Sequence, residues 1–257
     1  MRMIRSMIIA FSMYSRIPMP RFEWKEEDMR YNLCFLPIIG ALIGAVVYGC
    51  LYLCDMLTVP LMARVCVVSL IPILITGGFH IDGYMDVMDA VNSYKPREEK
   101  LKILSDPHIG AFSMISFAAY VLIWTGALTI IFDRDVSSIR IPLVFIFVLS
   151  RICTAISSLV LKKAKDDGML KNETDKAGRS ELLILTFELI ISIAVTVLFD
   201  VFAALAMTAV LVLLGLYYRH KTYKEFGGVT GDTAGCFVCA GEVLCLITLA
   251  VYSLIIS

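Results

Sequence analysis

Charge is scarce in this sequence. Only 18% of its 257 residues are Asp, Glu, Lys or Arg, while 59% are apolar and mean hydropathy is +0.81. Ordinary soluble domains carry about 25% charged residues, so the composition points to a membrane protein. Net charge is absent as well, with 23 basic residues balancing 23 acidic ones, which removes the electrostatic basis for a nucleic-acid partner. No composition shift, low-complexity linker or internal repeat divides the chain, so residues 1–257 are expected to form a single integral-membrane domain. No small-residue cleavage site follows the short apolar run "MIIAF", although Arg2 and Arg5 flank it with positive charge. Residues 1–17 are therefore expected to form an amphipathic interfacial segment and not a signal peptide. The eight cysteines include the pair Cys236 and Cys239 in "CFVC", but no second such pair and no neighbouring His pair. Zinc is thereby disfavoured, and small apolar filling of a helix interface is expected.

Long hydrophobic runs are abundant. A spanning helix needs about 20 mostly apolar residues to cross a hydrocarbon core roughly 30 Å thick. Seven windows qualify, at residues 35–54, 61–79, 111–132, 141–161, 181–199, 200–217 and 236–256. The expected fold is an all-α, polytopic integral membrane bundle of about seven transmembrane helices. Only Asp200 separates the fifth window from the sixth, which requires a tight hairpin there. With a cytoplasmic N-terminus, every Lys and Arg except Arg64, Arg134, Arg140 and Arg151 falls on one side. The positive-inside rule then assigns residues 80–110, 162–180 and 218–235 to the cytoplasmic face of the cell (inner) membrane.

The stretch "TGGFHIDGYMDVMDA", residues 76–90, sets His80, Asp82, Asp86 and Asp89 against a hydrophobic run. The three aspartates follow i, i+4, i+7 spacing, which on an α-helix confines them to an arc of about 60°. Like charges at that spacing repel, and no Lys or Arg stands between positions 65 and 94 to relieve them. The alternatives are a solvated acidic helix end and a divalent-cation site. Mg²⁺ suits the second, because it takes one or two carboxylates together with substrate phosphates and water. Gly77, Gly78 and Gly83 would let a substrate or metal approach the backbone closely. His80 reads equally as a base or phosphate donor and as a simple interfacial histidine.

A second polar stretch, "KEFGGVTGDTAG" at residues 224–235, precedes the last window. Gly231 and its neighbours would present backbone N–H groups to phosphate at a helix N-terminus, and Asp232 would add a metal ligand. Read alone, the stretch is a flexible turn. Arg151, Glu188 and Glu242 fall inside apolar windows, where charge is costly. Arg151 would hold phosphate or pair with Glu242; Glu188 has no assigned role. Gly40 and Gly44 in "FLPIIGALIG" form a small-xxx-small packing pattern, and Pro18 and Pro20 fix an extended segment. Lys162, Lys163 and Lys165 would attract anionic substrates or serve only to orient a span.

These motifs together resemble one family. "FSMYSRIPMP", "FLPIIGALIG", "TGGFHIDGYMDVMDA", "SDPHIGAF", "LSR" and "GGVTGDTAG" occur in the order and approximate spacing of the cobalamin synthases, the adenosylcobinamide-GDP ribazoletransferases, over nearly the whole chain. The HxDGxxDxxDA motif followed by TGD is the specific part. The resemblance implies a Mg²⁺-dependent membrane enzyme that joins adenosylcobinamide-GDP to α-ribazole or α-ribazole 5′-phosphate and releases GMP. It implies metal ligation by Asp82, Asp86, Asp89 and Asp232, with His80 or an aspartate as base and Gly231, Arg151 and His108 toward the phosphates. The chain departs from the family pattern at His108, where an Arg is usual, at Ser113, a usual Gly, and at Cys239, a commonly acidic position.

Two other enzyme classes, membrane phosphotransferases using CDP-activated donors and prenyltransferases, also bind Mg²⁺ and pyrophosphate through aspartates. Their patterns differ, since no Ala-Arg follows Asp82-Gly83 here. A transporter lined by Arg151, Glu188 and Glu242 is the remaining alternative, weakened by the missing repeat and by acidic groups gathered at a membrane border. The sequence leaves oligomeric state, a homo-oligomer included, open.

Overall fold

The computed structural model describes residues 2–165, 168–175 and 177–256. Its helices are α1 (Arg2–Tyr14), α2 (Asn32–Met56), α3 (Leu61–Thr76), α4 (Phe79–Asn92), α5 (Arg97–Ile103), α6 (Ala111–Arg134), α7 (Arg140–Val160), α8 (Met169–Thr174), α9 (Arg179–Phe199), α10 (Val201–Glu225) and α11 (Gly231–Ile256). Among the described residues there is no strand, only an isolated parallel bridge between Lys163 and Val229. The all-α expectation is met.

Six of these helices are long and apolar enough to cross a membrane, and a seventh crossing arises if α3 and α4 count as one broken span bent by 91°. The window at 61–79 is therefore where sequence and structure differ. α3 stops at Thr76 because Gly77 and Gly78 both adopt left-handed backbone (φ +67 and +82). Two consecutive residues in that region reverse the chain direction, at a steric cost that glycine alone avoids.

Close backbone approach organises the interior. A Cβ on Gly40 would collide with the Phe147 carbonyl, and one on Gly44 with Val144, so α2 lies directly against α7 as the small-residue pattern predicts. α7 and α11 are the most enclosed spans, contributing Leu143, Ile146, Phe147, Leu246 and Leu249 to the core. The outer helices keep large apolar side chains exposed, including Leu122, Phe187 and Leu198. Such a surface is stable against acyl chains and would be an aggregation surface in water.

The two ends of the bundle carry separate polar clusters. At one, Arg64 and Arg140 both pair with Asp55 (2.9 and 2.6 Å) and Arg140 also pairs with Asp135 (2.6 Å). The hairpin at Asp200 belongs to this end: its carboxylate caps α10 through Ala203 N–H (3.0 Å) and accepts from Ser138 Oγ (2.8 Å). At the other end, Arg30 pairs with Glu181 (2.6 Å) and Lys100 with Glu225. α1 packs here by burying Ile9 and Ala10 while leaving Met3 and Ile4 exposed, the two-sided pattern expected of an interfacial helix. Arg5 anchors it to Asp28 (2.9 Å).

Candidate active site at the bend between α3 and α4

α4 begins immediately after the glycine bend and carries His80, Asp82, Asp86 and Asp89 on 14 residues. Gly83 decides what it meets. A Cβ there would lie 2.9 Å from Asp232 Cα and from its carbonyl oxygen, so α4 crosses the start of α11 backbone to backbone. The Cβ side of Gly83 is thus filled by the α11 main chain, while its backbone still borders the cleft beside it. The contact brings Asp82 and Asp232 to the same cleft of about 270 Å³.

The TGD stretch is a helix start held by its own side chains. Thr230 N–H donates to Thr233 Oγ1 (2.8 Å) and Thr233 N–H donates back to Thr230 Oγ1 (3.2 Å), a reciprocal cap that fixes the first turn of α11. Gly231 lies exposed at that turn and borders the cleft. Across it stand Lys163, Lys165 and Lys171. Val229 N–H donates to the Lys162 carbonyl and Ala164 N–H to the Val229 carbonyl (both 2.9 Å), lashing the lysine segment to the TGD loop. Lys165 Nζ also donates to Ser105 Oγ (2.9 Å). The cleft therefore combines carboxylates for a cation with ammonium groups for phosphate oxygens, and the lysines gain a setting beyond that of orienting a span.

Asp82 is exposed and also borders a wider, open cleft of about 590 Å³ shared with Ser12, Arg16, Gly77 and Gly78. Asp86 is half-buried one turn further along. Asp89 faces a different neighbour: its carboxylate accepts from Gly110 N–H (2.7 Å) and Ser113 N–H (2.9 Å), capping α6. Among the described residues, no three His, Cys, Asp or Glu side chains converge into a ready-made metal cage. What remains fits a cation that draws most of its oxygens from substrate and water, as Mg²⁺ does.

The other expected site residues sit apart from this cleft. His80 is buried, its ring parallel to Tyr14 at 6.2 Å and edge-on to Phe79 at 5.6 Å. Arg151 is fully enclosed, donating to Glu242 and to the Phe147 carbonyl (2.9 Å), so the structural ion pair is the alternative found. His108 lies in the loop before α6, outward-facing, with Nδ1 2.6 Å from Asp106 Oδ1. Cys236 and Cys239 are free thiols on α11, packed among helices. Glu188 keeps a buried oxygen without a hydrogen bond.

Glu173 on α8 drew no attention in the sequence, standing in a polar loop with nothing nearby to mark it. It is buried in a small pocket that shares Phe79, Met169, Leu170 and Gly231 with the cleft, and it accepts from Tyr14 Oη (2.7 and 2.8 Å) and from Asn32 Nδ2 (3.2 Å). Burial pushes its carboxyl up to about 7, with the Tyr14 and Asn32 hydrogen bonds working in the opposite direction.

Comparison with known proteins covers nearly the whole chain. A family profile described as cobalamin-5-phosphate synthase matches residues 6–250. A protein of Lachnoclostridium phytofermentans named adenosylcobinamide-GDP ribazoletransferase is 37% identical over 248 residues, which are 95% of this chain and 92% of that one. Proteins of the same name from Clostridium botulinum and Geobacillus thermodenitrificans are 30% and 32% identical, covering 98% and 92% of this chain and 99% and 92% of their own lengths. No solved structure matches. The chain belongs to the cobalamin-5-phosphate synthase family.

Proposed function

We propose that this chain is an adenosylcobinamide-GDP ribazoletransferase of the cell membrane. It transfers the adenosylcobinamide phosphate moiety to α-ribazole or α-ribazole 5′-phosphate and releases GMP. The observation that carries this reading is the Gly83 crossing, which sets Asp82 and Asp232 against three lysines in one cleft.

The acceptor hydroxyl attacks the cobinamide-side phosphorus, a new P–O bond forms, the anhydride P–O bond breaks, and GMP leaves with the electron pair. Asp82 and Asp232 would hold Mg²⁺, with Asp86 adjoining, and such an ion would supply charge neutralisation for the phosphates and the departing GMP. Lys165 and Lys171 bind the outer phosphate oxygens, while Lys163 Nζ donates to the Ser158 and Leu161 carbonyls and holds the segment in place. Asp86, half-buried and free of any ion pair among the described residues, takes the hydroxyl proton. Two substrates must meet at a single phosphorus, and Asp82 stands where the lysine cleft and the wider Arg16 cleft adjoin. The lysine-rich ends of the helices, by the positive-inside rule, support a cytoplasmic active site.

The test is mass-spectrometric detection of GMP and completed corrinoid from purified protein supplied with adenosylcobinamide-GDP, α-ribazole 5′-phosphate and Mg²⁺. Both products are expected, and EDTA is expected to abolish them. Folded protein that yields neither, with either form of ribazole, would falsify the assignment.

A further inference from the structure

Behind His80 lies a third cavity, which the phosphate chemistry leaves unused. Its volume is about 330 Å³, within the range of small-molecule sites. It extends from His80 and Ile81 at the start of α4 into the bundle between α3 and α6, and is closed on its inner side by Arg151 and Glu242. Phe117, Tyr120 and Trp124 line it from α6, with Tyr120 and Trp124 nearly stacked (5.7 Å, 26°).

Three properties narrow the occupant. The wall is almost wholly apolar, and its one ion pair is internally neutralised, so a charged group gains nothing by entering. Aromatic rings supply flat faces for stacking. The cavity also shares Thr76 and Ile81 with the wider cleft that Asp82 borders, so the polar end of an occupant can reach the reacting phosphorus. An acyl chain from the bilayer has no polar end to place there. An uncharged aromatic heterocycle attached to a sugar has one. Ribazole carries such a group, a methylated bicyclic aromatic base.

We propose that this cavity seats the aromatic base of the ribazole acceptor, with the attached ribose emerging past Thr76 and Ile81 into the wider cleft beside Asp82. The inference rests on the ribazoletransferase reading above. It also makes the α6 aromatics, and not the phosphate cleft, the determinants of which base is accepted.

Trp24 and Trp124 are the only tryptophans, and Trp24 lies in an exposed segment, so Trp24→Phe leaves Trp124 as a reporter within the cavity. Titrating α-ribazole alone into this variant in detergent is expected to change Trp124 emission saturably. Ser69→Phe, filling the cavity from α3, is expected to abolish that change. It should raise the KM for α-ribazole about tenfold or more while the KM for adenosylcobinamide-GDP stays within about twofold, since one lost pocket contact is worth that much discrimination. Val121→Phe at the exposed mouth serves the same purpose should Ser69→Phe fail to fold. Unchanged emission at ribazole concentrations that saturate GMP release overturns the proposal, as does an unchanged KM in a folded filled variant. Quenching by brominated phospholipid that ribazole does not relieve makes the occupant a lipid and also overturns it. In each of these cases GMP release by the wild type leaves the ribazoletransferase reading standing, whereas its absence removes both.

Discussion

Asp82, Asp86 and Asp232 have no ion-pair partner among the described residues, whereas Asp89 spends both oxygens on the start of α6. Four aspartates of one motif set thus divide into two kinds. Asp82→Ala and Asp232→Ala are expected to lower GMP release about 10²–10³-fold, as the loss of a charge-stabilising group does, with thermal unfolding nearly unchanged. Asp89→Ala removes a cap and is expected to cost about 1 kcal/mol of stability as well, seen as an earlier unfolding transition in detergent. Glu173 predicts a pH effect of definite sign. Its folded carboxyl holds a proton up to about 7, above its ordinary value, so the folded state binds more protons than the unfolded one across that interval. Stability should therefore fall as pH rises from the ordinary carboxyl range through about 7. Glu173→Gln is expected to flatten this dependence and to be the more stable form above pH 7; an identical pH profile in both proteins would rule the account out.

At the level of elements, the α3–α4 bend is what turns a hydrophobic span into a site. Without Gly77 and Gly78 in left-handed backbone, α3 would continue and carry the aspartates along a different axis. The crossing of α4 over α11 is the companion requirement. Gly83→Ala inserts a methyl group 2.9 Å from the Asp232 main chain, and rigid backbone atoms cannot rotate aside. Turnover is expected to fall sharply in this variant while far-UV circular dichroism retains its helical signal. Normal turnover would show that the Asp82–Asp232 juxtaposition is dispensable. The lysine segment 162–165 is held by the pairing of Val229 with Lys162 and Ala164, so it stays beside the TGD loop without belonging to a helix of its own.

For the molecule as a whole, the broken span carries the chain from one end of the bundle to the other, since Arg64 near the start of α3 pairs with Asp55 and Lys100 after α4 pairs with Glu225 at the opposite end. The termini then lie at opposite ends, with α1 beside Asp28 and the last turns of α11 beside Asp200. Reporter fusions at the two ends, read in intact cells, are expected to give a cytoplasmic N-terminus and a C-terminus outside. The same side for both would overturn this path. The sequence by itself determined the membrane setting, the helical class, the seven apolar segments and the motif set that carries family membership. Each of those rests on composition or on local periodicity, and a hairpin at Asp200 or a small-residue seam at Gly40 and Gly44 is written in neighbouring letters. Which polar residues meet was decided only by the tertiary structure. Asp82 reaches Asp232 through a crossing of helices about 150 positions apart, Asp89 is diverted to a helix cap, Arg151 is claimed by Glu242, and Glu173 and the lysines arrive beneath and beside the cleft through a loop without periodicity. Local pattern fixes the face a side chain takes on its own helix, but the partner on that face comes from packing between segments remote in sequence, which no local pattern encodes.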